Sequence, residues 1–338
     1  MIIKSMDRVC LVDKKFSFLR IFQLLLIIAF FGTSVMSVLG YFGLGSHDSE
    51  LVSHFRPQYL LIQLFSVGFL IALYNRKWLI PASLLIPLNL IPILPYYLPQ
   101  ERPPIGPTLK VMDLNVLIEN RNFDKVATLI ATENPDLIAL EEIDAGWAAH
   151  LKNTLKTYPY KMELPQPNAF GIGLYSKIPL RDLQIHFFGK EAAARVYGSS
   201  YAATAFPSIT ALASIGGQAF TIVVTHPLPP LGGFKIRNAQ LDDFARIRPH
   251  LQKNMILIGD LNTSSWSPYF VELTQRTGLR DSQLGFGVQP SWPSYSPLFR
   301  IPIDHILVSP KFVILSRKIG PNVGSDHLPV IVALGLTR

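Results

Sequence analysis

Five groups of polar residues stand at the ends of apolar runs spread over two hundred positions. Asn115 closes TLKVMDLNVL (108–117), and Glu141 and Glu142 close DLIALEE. His226 follows the apolar stretch 219–225, and Asp260 and Asn262 follow NMILIG (254–259). Asp304 opens IDHILV (303–308), and Asp326 and His327 directly precede the apolar run 328–334. The ends of strands are where open sheets present functional groups. Carboxylates, amides and imidazoles in one set suit hydrolysis at phosphorus. An anionic phosphoester repels hydroxide, so a hard cation held by oxygen ligands is wanted to neutralise it. A His–Asp pair can then handle the proton, with the carboxylate fixing the imidazole tautomer.

These groups require a scaffold of short strands. The apolar and β-branched runs at 108–117, 136–144, 170–176, 209–215, 219–225, 254–259, 303–308 and 328–334 read as strands. Gly216 and Gly217 join one pair of them. Phe123, Val126, Leu129 and Ile130 recur at helical spacing within 122–133, and Asn134-Pro135 stops that helix. A second helix is expected over 237–251. Helices interleaved with strands predict an α+β or layered α/β body. Neither type of Gly-rich phosphate loop occurs, so no nucleotide cofactor is implied.

The chain has 338 residues, 49% of them apolar and 16% charged, with a net charge of +8. The apolar excess lies in the first hundred residues, where eight basic side chains face four acidic ones. The remainder carries 23 basic and 19 acidic side chains, without the dense positive surface of a non-specific DNA binder. The single cysteine, Cys10, excludes an intrachain disulfide or a Cys-based metal centre. Uncharged runs at 21–44, 58–74 and 78–98 predict three transmembrane helices, the first reaching about 36 Å. Pro81, Pro87, Pro92 and Pro95 make the third prone to break. Lys4, Arg8, Lys14, Lys15 and Arg20 precede the first run, and Arg76 and Lys77 separate the second from the third. The positive-inside rule places both segments in the cytoplasm and the region after residue 99 on the outer, periplasmic side of the plasma (inner) membrane. The expected organisation is a membrane anchor over 1–99, a proline-rich linker over 100–107 and a catalytic domain over 108–338.

The domain resembles the endonuclease/exonuclease/phosphatase superfamily, which includes deoxyribonuclease I. The stretches that carry the resemblance are VMDLNVL (111–117), NPDLIALEEID (134–144), GIGLYSKIPL (171–180), VVTHPLPP (223–230), IGDLNTSSWSP (258–268), IDHILVS (303–309) and GSDHLPVIV (324–332), in the family's order. The resemblance implies a four-layer α/β/β/α sandwich, here preceded by the three transmembrane helices, and a divalent-metal-dependent phosphoric ester hydrolase. It implies that Glu142, Asn115 and Asp326 hold Mg²⁺, with Mn²⁺ as the substitute. It implies that Asp260 orients or deprotonates the attacking water and that Asn262 holds the phosphate. His327 would contact the phosphate and activate or orient the water, supported by Asp304, while His226 would support the scissile phosphate or the leaving group. Arg195 and Arg237 are further candidates for phosphate contacts and Tyr175 could reach the site, while Trp266 is read as core packing ahead of a surface that stacks on a base or packs beside a lipid tail. Glu141 is expected on the opposite strand face from Glu142.

The apolar N-terminal runs and the THPLPP segment resemble membrane-anchored VanJ-type proteins. That resemblance implies the bilayer as a partner and hydrolysis of a phosphoester or phosphoanhydride, with a lipid-linked phosphate or pyrophosphate preferred over DNA as substrate. No obligate protein partner is implied. The other readings are a membrane-tethered nuclease and a non-catalytic membrane protein with a degenerate domain.

Overall fold

The computed structural model describes residues 3–99 and 106–337, the side chains of 3–17 and 201 aside. Most of the expected linker, residues 100–105, lies outside the described residues. The chain divides into two compact units, Met1–Leu94 and Pro95–Arg338.

The first unit is helical: α1 (Ile3–Leu39), α2 (His47–Ser53), α3 (Arg56–Leu73), α4 (Leu79–Leu85) and α5 (Pro87–Ile93). Two stretches, Phe18–Phe42 and Arg56–Leu73, are long and apolar enough to cross a membrane. The third expected span is a bent pair, Arg76–Leu85 and Pro87–Tyr96, with 50° between its halves. Pro87 opens α5, and its missing N–H interrupts the helical ladder at that point. A buried polar seam ties the helices together. Gln63 donates to Ser34 Oγ (3.0 Å), while the Asn89 amide donates to Ser37 Oγ (2.7 Å) and Gln63 Oε1 (3.1 Å). The Tyr74 hydroxyl donates to Leu19 O, near the start of the apolar part of α1. The Tyr41 hydroxyl and Arg56 both donate to Leu88 O, so α5 meets the far end of α1.

The second unit contains two six-stranded sheets. The first comprises β1 (Thr108–Asn115), β2 (Leu137–Glu141), β3 (Tyr160–Leu164), β4 (Ile172–Ser176), β11 (Phe312–Ile319) and β12 (Val330–Leu336), in the order β11-β12-β1-β2-β4-β3. The second comprises β5 (Arg181–His186), β6 (Ser208–Ile215), β7 (Gln218–Thr225), β8 (Met255–Asp260), β9 (Arg280–Asp281) and β10 (Asp304–Val308), in the order β5-β6-β7-β8-β10-β9. Alternate residues of β1 and β2 (Leu109, Val111, Leu137, Ala139) meet Ile256, Ile258, Ile306 and Val308 of the second sheet in one core. The other faces are covered by helices. α6 (Phe123–Glu133) and α7 (Ala145–Leu151) pack Val126, Ile130 and Trp147 against Met112 and Ile138. α10 (Pro230–Ile247) and α11 (Pro268–Thr277) pack Leu241, Phe244 and Phe270 against Val223 and Leu257. The short α8 (Lys190–Tyr197) and α9 (Ser199–Ala202) follow β5. The result is an α/β sandwich. The helix expected over 237–251 starts seven residues earlier, with Pro230 in its first turn and a kink at Gly233. Proline suits that position because the first helical N–H groups have no partner in the helix.

Candidate functional site

The antiparallel pairing of β8 and β10 sets Asp260 directly opposite Asp304. Both side chains continue the inward-facing rows of their strands, so they emerge from the core between the sheets. His327, just before β12, approaches from the other sheet, and its Nδ1 lies 2.9 Å from Asp304 Oδ1. Its Nε2 is 3.7 Å from Asp260 Oδ2 and 3.9 Å from Asp326 Oδ1. On the other side of Asp260, the Asn115 amide donates to Asp260 Oδ2 (3.4 Å) and to Glu142 Oε1 (2.9 Å). Glu142 Oε2 accepts from the backbone N–H of Ile118 (3.1 Å). His226 Nε2 lies 3.5 Å from Asp260 Oδ2. Seven of the eight residues expected at the site are therefore linked side chain to side chain through one continuous set of short distances.

Local backbone geometry makes this convergence possible. Glu142, Leu117 and Asn262 all adopt left-handed φ values (61°, 60° and 49°) just beyond strand ends. Such conformations are uncommon for non-glycine residues and cluster where surrounding structure holds a functional side chain. The turn at Glu142 breaks the strand alternation and swings its carboxylate toward Asn115. At Gly259, φ is 144° and a Cβ would lie 2.0 Å from Thr225 O, so only glycine lets β7 and β8 approach beneath His226 and Asp260. Asn262 donates its backbone N–H to Asp260 Oδ1 (2.8 Å) and its amide to Pro227 O (2.9 Å), joining the two loops.

The electrostatics divide the groups into distinct states. Burial pushes the Asp260 carboxyl up to about 8; Asp304 adds to the rise and His327 opposes it. Burial alone would lower His327. The negative charges of Asp304 and Asp260, with the Asp304 hydrogen bond, outweigh that and hold it at about 10. Burial would likewise raise Asp304, but the His327 charge and hydrogen bond hold it below the usual carboxylate range. His226 is pushed down to about 4 by burial and by the neighbouring His327 charge, so it is neutral near pH 7. Burial raises Glu142 against the opposing hydrogen bonds from Asn115 and Ile118.

Ligand atoms of Asp260, Asp304 and His327 lie within 4.8 Å of one another, a candidate metal cluster. Asp304 and His327 already satisfy each other, whereas the Asp326 Oδ1 is buried without a hydrogen-bond partner. Asp326 stands outside that cluster, and its unsatisfied carboxylate oxygen is the kind of hard donor a divalent cation takes.

Other candidates fall elsewhere. Tyr175 is buried in the core beneath α6 and α7 and does not reach the site. Its strand position places it on the outer face, opposite to Leu174. Trp266 is buried and packs edge-on against Tyr96, in keeping with core packing. Arg195 is exposed on α8, away from this set of contacts. Arg237 is buried and donates to Asn262 O (2.9 Å), so it supports the loop. Glu141 points into the core, where it faces Asp113, and burial raises both carboxyls far above their ordinary range. Two supports escaped the sequence reading. The Ser325 hydroxyl donates to Asn115 O (2.7 Å) and accepts from His327 N–H. The Trp292 indole donates to Asp326 Oδ2 (2.9 Å). Ser325 lies inside the GSDH stretch, but Trp292 is more than thirty residues from its partner and no local signal marks it.

An α/β sandwich with a His–Asp pair and clustered carboxylates between the ends of its two sheets is the machinery of a metal-dependent hydrolase. The chain belongs to the endonuclease/exonuclease/phosphatase family, whose profile matches residues 114–327. No curated protein matches it in sequence. Among solved structures, D. rerio TDP2 complexed with single strand DNA product is similar with a TM-score of 0.56 at 16% identity, covering 68% of this chain and 99% of that one. An endonuclease/exonuclease/phosphatase from Bacteroides vulgatus gives 0.55 at 16% identity, covering 68% and 100%. The human Nocturnin catalytic domain with bound sulfate gives 0.54 at 18% identity, covering 70% and 97%. At such identities the likeness establishes the fold. The expected preference for a lipid-linked phosphate over DNA is corrected by these comparisons, since the D. rerio structure holds a DNA product on this fold.

Proposed function

We propose that the protein is a membrane-tethered nuclease that hydrolyses phosphodiester bonds in nucleic acid with a divalent cation. Residues 1–99 would be its anchor and 108–338 a catalytic domain built as a four-layer α/β/β/α sandwich. The observation that carries the reading is the His327–Asp304 pair set against Asp260, with Asn115 linking Asp260 to Glu142.

Glu142, Asn115 and Asp326 would hold Mg²⁺, and the cation, when bound, neutralises charge on the phosphate and leaving oxygen. Asp260, with its raised pKa, accepts the proton of the attacking water. His327 is an imidazolium near pH 7 and contacts a phosphate oxygen, and Asp304 fixes its orientation. His226, neutral and adjacent to Asp260, lies beside the leaving group, and Asn262 beside the phosphate. No nucleophilic side chain is required.

The placement of the catalytic domain on the outer side rests on the basic residues before α1. It is supported by α5 reaching the end of α1 that is marked by Tyr41. The resemblance to membrane-anchored VanJ-type proteins supports the tether.

The test uses the full chain in lipid nanodiscs with Mg²⁺, offered a single-stranded oligonucleotide, plasmid DNA and a polyprenyl pyrophosphate in parallel. The expected outcome is DNA cleavage that EDTA abolishes and Glu142→Gln slows at least ~100-fold. Cleavage unaffected by EDTA, or faster turnover of the pyrophosphate than of either DNA, would contradict the proposal.

A further inference from the structure

The connection between β9 and β10 carries a concentration of exposed apolar side chains. Tyr295, Leu298 and Phe299 are 75%, 80% and 63% exposed. Exposed apolar clusters on a folded body commonly mark a contact surface. This one is fastened to the catalytic centre at its base. Trp292 donates to Asp326, and its ring lies 6.4 Å from that of His327. The N–H of Ser294 donates to Asp326 O (2.6 Å), and its hydroxyl to Ser325 O (2.7 Å). Trp292 and Ile301 bridge across the neck, and the Arg300 guanidinium donates to Pro293 O and Ser294 O. The tip is thus held in place while its side chains face outward.

A groove of about 670 Å³ is lined by Ile118, Arg121, Asp144, Gln166 and Asn168. Its lip is the Ile118 N–H that holds Glu142. In the stacked sheets β10 lies over β12 and β1, whereas β6 and β7 lie over β4. The Trp292–Arg300 loop is fastened to Asp326 and the groove borders Glu142, two of the carboxylates of the catalytic set. An elongated substrate crossing the centre would meet both.

We propose that the Trp292–Arg300 loop is a base-stacking platform, on which Tyr295 and Phe299 hold bases of single-stranded nucleic acid beside the scissile phosphate. The proposal rests on the nuclease reading. Aromatic faces projecting from a loop accept any base whose face is free, whereas paired bases within a duplex present only their edges. The continuity with Asp326 and His327 favours a substrate over a second protein, because whatever occupies the tip lies within reach of the reacting phosphate.

The test compares full-length wild type with the Tyr295→Ala/Phe299→Ala double variant and with Tyr295→Phe. Two substrates are used, a single-stranded oligonucleotide and bis(p-nitrophenyl) phosphate. The double variant is expected to raise the oligonucleotide KM about tenfold more than the KM of the small ester, consistent with the effect of removing stacked bases. The change falls in KM rather than kcat, and Tyr295→Phe behaves as wild type. An unchanged KM ratio in an enzyme that still cleaves the oligonucleotide overturns the platform alone. So does an unchanged ratio with loss of binding to phospholipid vesicles, which would make the loop a membrane contact. A wild type that hydrolyses the small ester but neither binds nor cleaves the oligonucleotide overturns both readings.

Discussion

His327 and Asp260 sit 3.7 Å apart with their pKa values moved in the same direction for opposite reasons. Asp260 is raised to about 8 chiefly because it is buried. His327 is raised to about 10 because two carboxylates hold its charge against the cost of burial. The pair therefore offers a proton acceptor and a cation at once only between those two values. The rate is expected to climb as Asp260 deprotonates near pH 8 and to fall as His327 loses its proton near pH 10. A cation beside Asp260 favours its ionised form, so raising Mg²⁺ moves the lower limb to lower pH. Profiles of kcat/KM at several Mg²⁺ concentrations read this directly. A flat profile over roughly pH 6 to 9 at every concentration would exclude the assignment. The sequence made these residue types legible because each stands at the end of an apolar run. It could not reveal their charge states, which depend on burial between two sheets.

At the scale of elements, strand alternation explains both what was readable and what was not. β1, β2, β7, β8, β10 and β12 are central strands, apolar over most of their length, and their ends mark the site. The edge strands β3 and β5 are partly exposed, with the patterns of surface segments, and β9 has only two residues. Their positions come from pairing with neighbours rather than from their own composition. The left-handed turn at Glu142 is also a tertiary effect, since glutamate has no preference for it. Glu141, the preceding residue, is carried by the same strand into the core beside Asp113. Its folded pKa is raised above its unfolded value near 4.5, so the folded state binds a proton more tightly. Its contribution to stability is present below that value and is lost as pH rises above it. Glu141→Gln is thus expected to stabilise the catalytic unit by ~1–2 kcal/mol at pH 8 and by less at pH 5. Thermal melts of the full chain at the two pH values compare them. A lower melting temperature for the variant at pH 8 would show that the acid pair is stabilising.

For the whole molecule, the hydropathy of the first hundred residues announced helices but not their continuity. The second apolar run begins two residues before its expected start, at Arg56, because that side chain packs over Tyr41 (4.0 Å) and joins the polar seam. The proline-rich run bends by 50°, yet Asn89 anchors it to Ser37 and Gln63 inside the bundle. Buried amide hydrogen bonds of this kind hold helices together where water does not compete. With the basic N-terminal segment in the cytoplasm, reporter fusions after residue 338 should be active only on the outer side. Activity confined to the cytoplasm would reverse the proposed orientation and leave the catalytic chemistry untouched.

Catalysis rests on His327 and Asp304 acting as one unit on a phosphate beside Asp260. A double-mutant cycle of His327→Ala and Asp304→Ala, read as kcat/KM for oligonucleotide cleavage in Mg²⁺, tests this directly. His327→Ala alone is expected to cost ~100-fold or more and the double variant to be hardly worse, because a unit loses its function once. Single variants that retain wild-type rates, or losses that simply multiply, would contradict it.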